Sequence, residues 1–462
     1  MDRKVPVWFV MLVVLAGLIF TMVFAWATRN HVEGNNRFGA FGAFAAETAD
    51  FPRTSRQVMR EIIASARGTD TEIGARIRRD LAIPDDARPV ETAEGIGIEG
   101  LLIRESLLGT ARPGWRKLVG AFMLDGELKN AAVLLSPDHR VVHYWHLTEE
   151  QIDDRVPRGP NRKFPHGVEI VPMDGSIIYT FDGSIGLHRL SACGDRIWTS
   201  PGRPSHAVTL TEDQERAWIV STDFSFAEVD LETGEVLRDI SIFDVNEANP
   251  DINPLELRRL HNDAQGNLQR ESVNLRGFPG KWMSDYFHLN DVDPLPPSLA
   301  DAFPQFEVGD VMLSLREINL VIIVDPDTLK IKWWRAGAVQ RQHDPDWMPD
   351  GRIMVYNNRM SEDYSNIVWI DPRTYEQGVL YDGRANNFYS RIRGKSQPRH
   401  DDNSIVITSS QQGRGFEVSA AGDVTYEIIS TRPGDAPSNY VLSEMRWYPP
   451  DTFTEEMFQC TN

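Results

Sequence analysis

A chain of 462 residues that is 41% hydrophobic and 25% charged has enough apolar surface for one large or two ordinary folded domains, which excludes a disordered protein. Its formal net charge of −19, with no dense Lys/Arg stripe to offset it, repels a phosphate backbone and excludes nucleic acid as a partner. Cys193 and Cys460, the only cysteines, are too few for a disulfide scaffold or a cysteine-rich metal site and leave open a single bridge between them.

The run from Val5 to Ala27 holds no charged residue and is long enough to cross a hydrocarbon core of ~30 Å as a helix. Arg3 and Lys4 precede it, so the positive-inside tendency puts the start in the cytoplasm and everything after Thr28 outside, on the periplasmic side. Ala25-Trp26-Ala27 has the small-x-small form of a signal-cleavage site, but the apolar stretch exceeds the usual ~7–15 residues of a signal peptide. Residues 1–27 therefore read as a single-pass transmembrane anchor. Residues 28–53, rich at first in Gly, Asn, Ala and Phe, read as a linker. In SRQVMREIIASARG the apolar positions Val58, Met59, Ile62 and Ile63 fall at helical spacing and Gly68 is a stop, so residues 54–125 read as a short helical lead-in followed by early strands.

From about residue 126 the texture becomes short β-rich runs between turn signals, and a whole unit recurs every ~40 to 80 residues. Copies begin at NAAVLLSPDHRVVHYWHL, at His166, at His206, at His288, at His343 and at SQPRHDDNSIVITSS. Each has an opening strand, an Asp/Asn-Gly turn or close variant, an alternating strand, and a D-x-x-T-G-like turn into a strand that often ends in Trp. One unit cannot bury both of its faces, so copies must pack radially. The expected fold is all-β: a six-bladed β-propeller over residues 126–450, with Tyr440 to Trp447 returning to complete the ring and residues 451–462 as a tail. A β-sandwich explains strands but not the recurrence of the whole unit.

His166, His206, His288 and His343 stand at one equivalent place in four copies, ahead of the turn. In a propeller, equivalent positions lie on one ring about the axis, so four imidazoles are expected to converge. A single histidine is most simply a satisfied structural side chain, but four in register suit proton transfer or nucleophilic attack near neutral pH. Arg316, in LSLREIN on the strand that follows His288, offers a planar guanidinium matched to sulfate or phosphate oxygens, with a salt bridge as the plain alternative.

These residues resemble the bacterial arylsulfate sulfotransferases, a family whose fold is a six-bladed propeller. QHDPDWMPDGRIMVYNNR is similar to the family's nucleophile strand, which implies that His343 is the nucleophile. HLND followed by LSLRE resembles the family's His-x-Asn and Ser-Ser-Arg strands, which makes His288 and Arg316 catalytic candidates. The strand before DFSFAEVDLETGEV supplies His206 as the remaining one. His166 and, from the stretch that resembles the last blade, Tyr389 and Gln397 are the implied substrate-binding residues. The likeness spans roughly residues 130 to 450. The chain departs from it in its anchor, its helical lead-in and the insertion PPSLADAFPQFEV between His288 and Arg316.

The resemblance implies a two-step sulfuryl transfer from an aryl sulfate to a phenolic acceptor through a sulfohistidine. It implies no cofactor and no metal, and the chain has no G-x-x-x-x-G-K-[ST] loop or dinucleotide fingerprint for a nucleotide donor. Two other classes compete: a non-catalytic, membrane-anchored propeller that binds a ligand or protein partner, and a quinone-dependent dehydrogenase, whose aromatic stacking repeats and calcium ligands are not found. The geometry decides between them: the catalytic reading requires His206, His288, His343 and Arg316 to face one cavity.

Overall fold

The computed structural model describes residues 6–32, parts of 37–48, and 83–460 apart from 149–164, 182–185, 203, 223, 257–286, 361, 363 and 433–438. The helical run expected around Val58 to Gly68 lies outside the described residues. The chain divides into two compact units, Met1–Ala75 with Arg259–Asp285, and Arg76–Arg258 with Tyr286–Asn462. In the first, helix α1 (Val7–Val32) runs 26 residues, five beyond the expected end of the anchor at Ala27. Its large apolar side chains from Val7 to Met22 lie on every face and are exposed in this unit.

The second unit is a six-bladed propeller in which each blade is an antiparallel sheet. Blade two runs Pro165–Ile170, Ile177–Phe181, Gly186–Leu190 and Arg196–Pro201 from the axis outward. Blade three starts with Ser205–Leu210, blade four with Leu289–Pro294, blade five with His343–Trp347 and blade six with Lys395–Pro398. Blade one is closed by chain from both ends, because Leu442–Tyr448 pairs as the innermost strand on Trp115–Leu124. Each innermost strand packs against the next in a closed ring. Ala87–Pro89 and Leu101–Arg104 extend the outer edge of blade six, so β structure begins ahead of residue 126.

The period of two along each strand feeds two different cores. Val311, Leu313 and Leu315 of blade four pack with Trp218, Val220 and Phe226 of blade three. Met312, Val321 and Ile323, which point to the other face of the same sheet, pack with Ile353 and Val355 of blade five. A comparable core lies between every adjacent pair of blades, so the ring is held by six apolar seams. The D-x-x-T turns fix the outer hairpins: Thr233 N and Oγ1 donate to Asp230 Oδ1 at 2.8 and 2.7 Å, and Asp325 and Asp371 serve the same way in blades four and five. Cys193 and Cys460 form a disulfide across 267 residues, tying the tail to blade two. Phe453 and Phe458 of that tail are buried beside Trp115.

Candidate active site

All four repeat histidines stand where the chain enters an innermost strand. The strands bulge at this level, with register shifts at 165/168, 205/208, 289/291 and 343/345. A bulge inserts one unpaired residue and turns the backbone, which aims side chains off the sheet toward the axis. His206 and His288 themselves take left-handed conformations (φ 65° and 48°), while in blades two and five the turn falls one residue after the histidine, at Gly167 and Asp344. The equivalence read from the repeats therefore holds for the place but is staggered by a residue in register.

The imidazoles meet. The rings of His166 and His206 are 4.6 Å apart and those of His206 and His288 are 4.7 Å apart. His343 is near enough to His206, His288 and Arg316 for each to oppose its protonation. Arg316 lies in the 3-10 turn Arg316–Ile318, just beyond strand Val311–Leu315, which corrects its expected place on the strand itself. The chain must reverse there, at Asn319 with φ 52°, before the next strand, which sets Arg316 at the rim of the blade. Its backbone N donates to His288 O at 3.2 Å, and its Nη2 is 3.1 Å from Glu317 Oε1, so the plain salt bridge exists alongside its action on His343.

The tautomer of His343 follows from its neighbour. Asn358 directs its amide NH2 at two carbonyls, Ser390 O (2.8 Å) and Arg393 O (2.5 Å), which can only accept. Its Oδ1 must then face His343 Nδ1, 2.7 Å away, and accept the proton that Nδ1 carries. The Nε2 lone pair is left for attack. Burial, then Arg316, pushes the His343 pKa well below the ordinary imidazole value, and burial, then His206, does the same to His166. A buried, neutral, oriented imidazole is a competent nucleophile. His206 Nδ1 lies 2.8 Å from Ser205 Oγ.

Of the implied substrate-binding residues, His166 joins the cluster, and Tyr389 lies half-buried in the connection from blade five to blade six, its N donating to Gln412 Oε1 at 3.1 Å. Gln397 does not join them. It sits deeper on the blade-six strand, where its amide brackets the backbone of Trp447 (2.9 and 3.0 Å) and holds the closing strand. It lines a cavity of about 890 Å3 at the opposite end of the axis, with Asp293, Asp346, Trp347 and Arg446.

Sequence reasoning missed Asn358, although it lies in the quoted VYNNR. It also missed a charged layer immediately below the histidines, in which Lys395 Nζ lies 2.5 Å from Asp344 Oδ1 and 3.3 Å from Asp291 Oδ1. The adjacency of Asp344 to His343, and of Asp291 to the His288 run, was the available signal.

A family model described as arylsulfotransferase (ASST) matches residues 179–431. No curated protein matches the chain. Among solved structures, a protein of unknown function from Bacteroides caccae is 11% identical with a TM-score of 0.44, covering 72% of this chain and 98% of its own. A streptogramin B lyase is 11% identical with a TM-score of 0.39, covering 80% and 96%. A virginiamycin B lyase from Staphylococcus aureus is 10% identical with a TM-score of 0.33, covering 63% and 86%. At such scores these likenesses carry no argument.

Proposed function

The chain belongs to the arylsulfotransferase family, whose model matches more than half of it, and from that premise we propose that it moves a sulfuryl group from an aryl sulfate to a phenolic acceptor through a sulfohistidine on His343, without a nucleotide donor. The observation that carries this reading is the hydrogen bond from His343 Nδ1 to Asn358, which leaves Nε2 as the attacking atom in a layer shared with His206, His288 and Arg316. In the first step Nε2 bonds to sulfur, the aryl oxygen–sulfur bond breaks and a phenol leaves. In the second, an acceptor phenol takes the group from nitrogen. Arg316 holds the sulfuryl oxygens as charge develops, with His206 and His288 completing the cradle.

Helix α1 serves as a single-pass anchor with the propeller on the periplasmic side. The Cys193–Cys460 disulfide supports an oxidising compartment for this unit.

The test is phenol-dependent release of nitrophenol from 4-nitrophenyl sulfate, with the protein quenched under basic conditions and analysed by mass spectrometry for a sulfuryl adduct on His343. His343→Asn is expected to abolish turnover with the circular dichroism spectrum unchanged. Arg316→Ala is expected to cost about 3 kcal/mol of barrier, on the order of a hundredfold in rate, as for one lost preorganised donor. Turnover by the wild type with no adduct on His343 would falsify the assignment.

A further inference from the structure

Sulfuryl transfer between phenols moves a proton twice: the departing phenolate must gain one and the incoming phenol must lose one. Between the two steps the protein has to hold that change of charge. His343 and His166 cannot, since burial and the neighbouring cations and imidazoles keep both neutral well below the ordinary imidazole range. One step down the axis, Asp291, Asp344 and Lys395 come from three consecutive blades. Lys395 Nζ lies 2.5 Å from Asp344 Oδ1 and 3.3 Å from Asp291 Oδ1, while the other oxygen of Asp344 accepts from Ser396 N. Asp291 and Asp344 are 4% and 7% exposed. Two buried carboxylates thus share one ammonium. With both ionised the cluster carries an uncompensated negative charge, and with one proton added it is neutral.

Resting on the sulfuryl-transfer reading above, we propose that the Asp291–Asp344–Lys395 cluster is the proton store of the reaction, lending a proton to the leaving phenolate and recovering it from the acceptor. In the first half-reaction Nε2 of His343 bonds to sulfur, the S–O(aryl) bond breaks, and the aryl oxygen takes the stored proton through the histidine layer. Phenol leaves, and the cluster is left with one negative charge beside the sulfoimidazolium. In the second, the acceptor's proton returns to the cluster, its oxygen bonds to sulfur and the N–S bond breaks. Nothing further is consumed, and Nδ1 keeps its proton on Asn358 throughout.

The surroundings single out Asp291. Burial pushes it up to about 7, with Lys395 and, more weakly, Arg446 pulling it down and Asp344 adding to the rise. Deeper on the axis Asp293 and Asp346 are pushed above the ordinary carboxylate range by burial and by their fellow aspartates. On the blade-one and blade-two sides Glu444 and Glu169 are tied to Lys117 at 3.1 and 2.8 Å. Lys395 also depresses His166, which places the ammonium within reach of the histidine layer.

The experiment compares donor kcat/KM for phenyl sulfate, whose leaving group needs a proton, with that for 4-nitrophenyl sulfate, whose leaving group does not, using the full chain. Asp291→Asn is expected to lower the phenyl sulfate value on the order of a hundredfold and to leave the 4-nitrophenyl value within about threefold. Damage to the fold lowers both alike. The wild type supplies a second reading: its phenyl sulfate value is expected to fall as pH rises through about 7 while the 4-nitrophenyl value stays level. Equal losses on the two donors in a variant whose circular dichroism spectrum matches the wild type, or coincident pH profiles of the wild type, overturn the store while leaving sulfuryl transfer intact. No turnover of either donor by the wild type overturns the sulfuryl-transfer reading and the store with it.

Discussion

At the scale of single residues, the neutrality of His343 is built in rather than borrowed from the pH. An ordinary imidazole is half protonated near 6.5. Burial first, then the Arg316 charge, and more weakly His206 and His288, all resist protonation of His343, and the hydrogen bond to Asn358 only partly offsets them. In the proposed mechanism the neutral form of His343 attacks, and a depressed pKa keeps that form present to lower pH. The donor kcat/KM for 4-nitrophenyl sulfate, which reports the first step alone, is therefore expected to stay level as pH falls through 6.5, contrary to the acid loss an unperturbed histidine would give. A rate profile that halves near 6.5 would show that a different group, or an exposed imidazole, carries the first step. The four histidines were legible in the sequence because repetition placed them at one position of a recurring unit, and Arg316 was read from its place after the His288 strand and from the family resemblance. Asn358, Asp291 and Lys395 were not, because each matters only through a partner on another strand or blade: Asn358 through Ser390 and Arg393, and Lys395 through a carboxylate 104 residues earlier.

Strand alternation and turn chemistry are local properties, and at the scale of elements they made the blades readable before the structure. The closure was only half readable. That Tyr440 to Trp447 returns was expected, and Leu442–Tyr448 does pair with Trp115–Leu124. What secures it is non-local: Gln397 on the backbone of Trp447, buried Lys117 between Glu169 and Glu444, and buried Arg116 on Glu417 at 2.6 Å. The disulfide adds a covalent tie. The sequence left open whether the two cysteines meet, since residues so far apart in the chain need not lie close in space. Because the Cys193–Cys460 bond closes a loop of 267 residues, it restricts the unfolded chain strongly. Replacing both cysteines by serine is expected to lower stability to urea by about 3 kcal/mol while leaving the histidine site and its turnover in place. A variant as stable as the wild type would mean that the buried ion pairs and the seam around Phe453 and Phe458 close the ring unaided.

At the scale of the whole chain, the apolar helix and the propeller obey different solvents. The propeller buries its large hydrophobes in seams between blades, whereas α1 leaves Trp8, Met11, Leu15, Phe20 and Met22 exposed by half or more. Such an apolar cylinder is compatible with a bilayer. The segment Val7–Arg29 alone rises ~35 Å as a helix, long enough to cross ~30 Å of hydrocarbon. The small-x-small stretch Ala25-Trp26-Ala27 lies inside the helix, which continues to Val32. The full-length protein is therefore expected in the membrane pellet after a carbonate wash, released by detergent, with its amino terminus intact by mass spectrometry. Recovery of a soluble chain that starts near Thr28 would instead establish signal cleavage, and the propeller would then work free of the membrane with its chemistry unchanged.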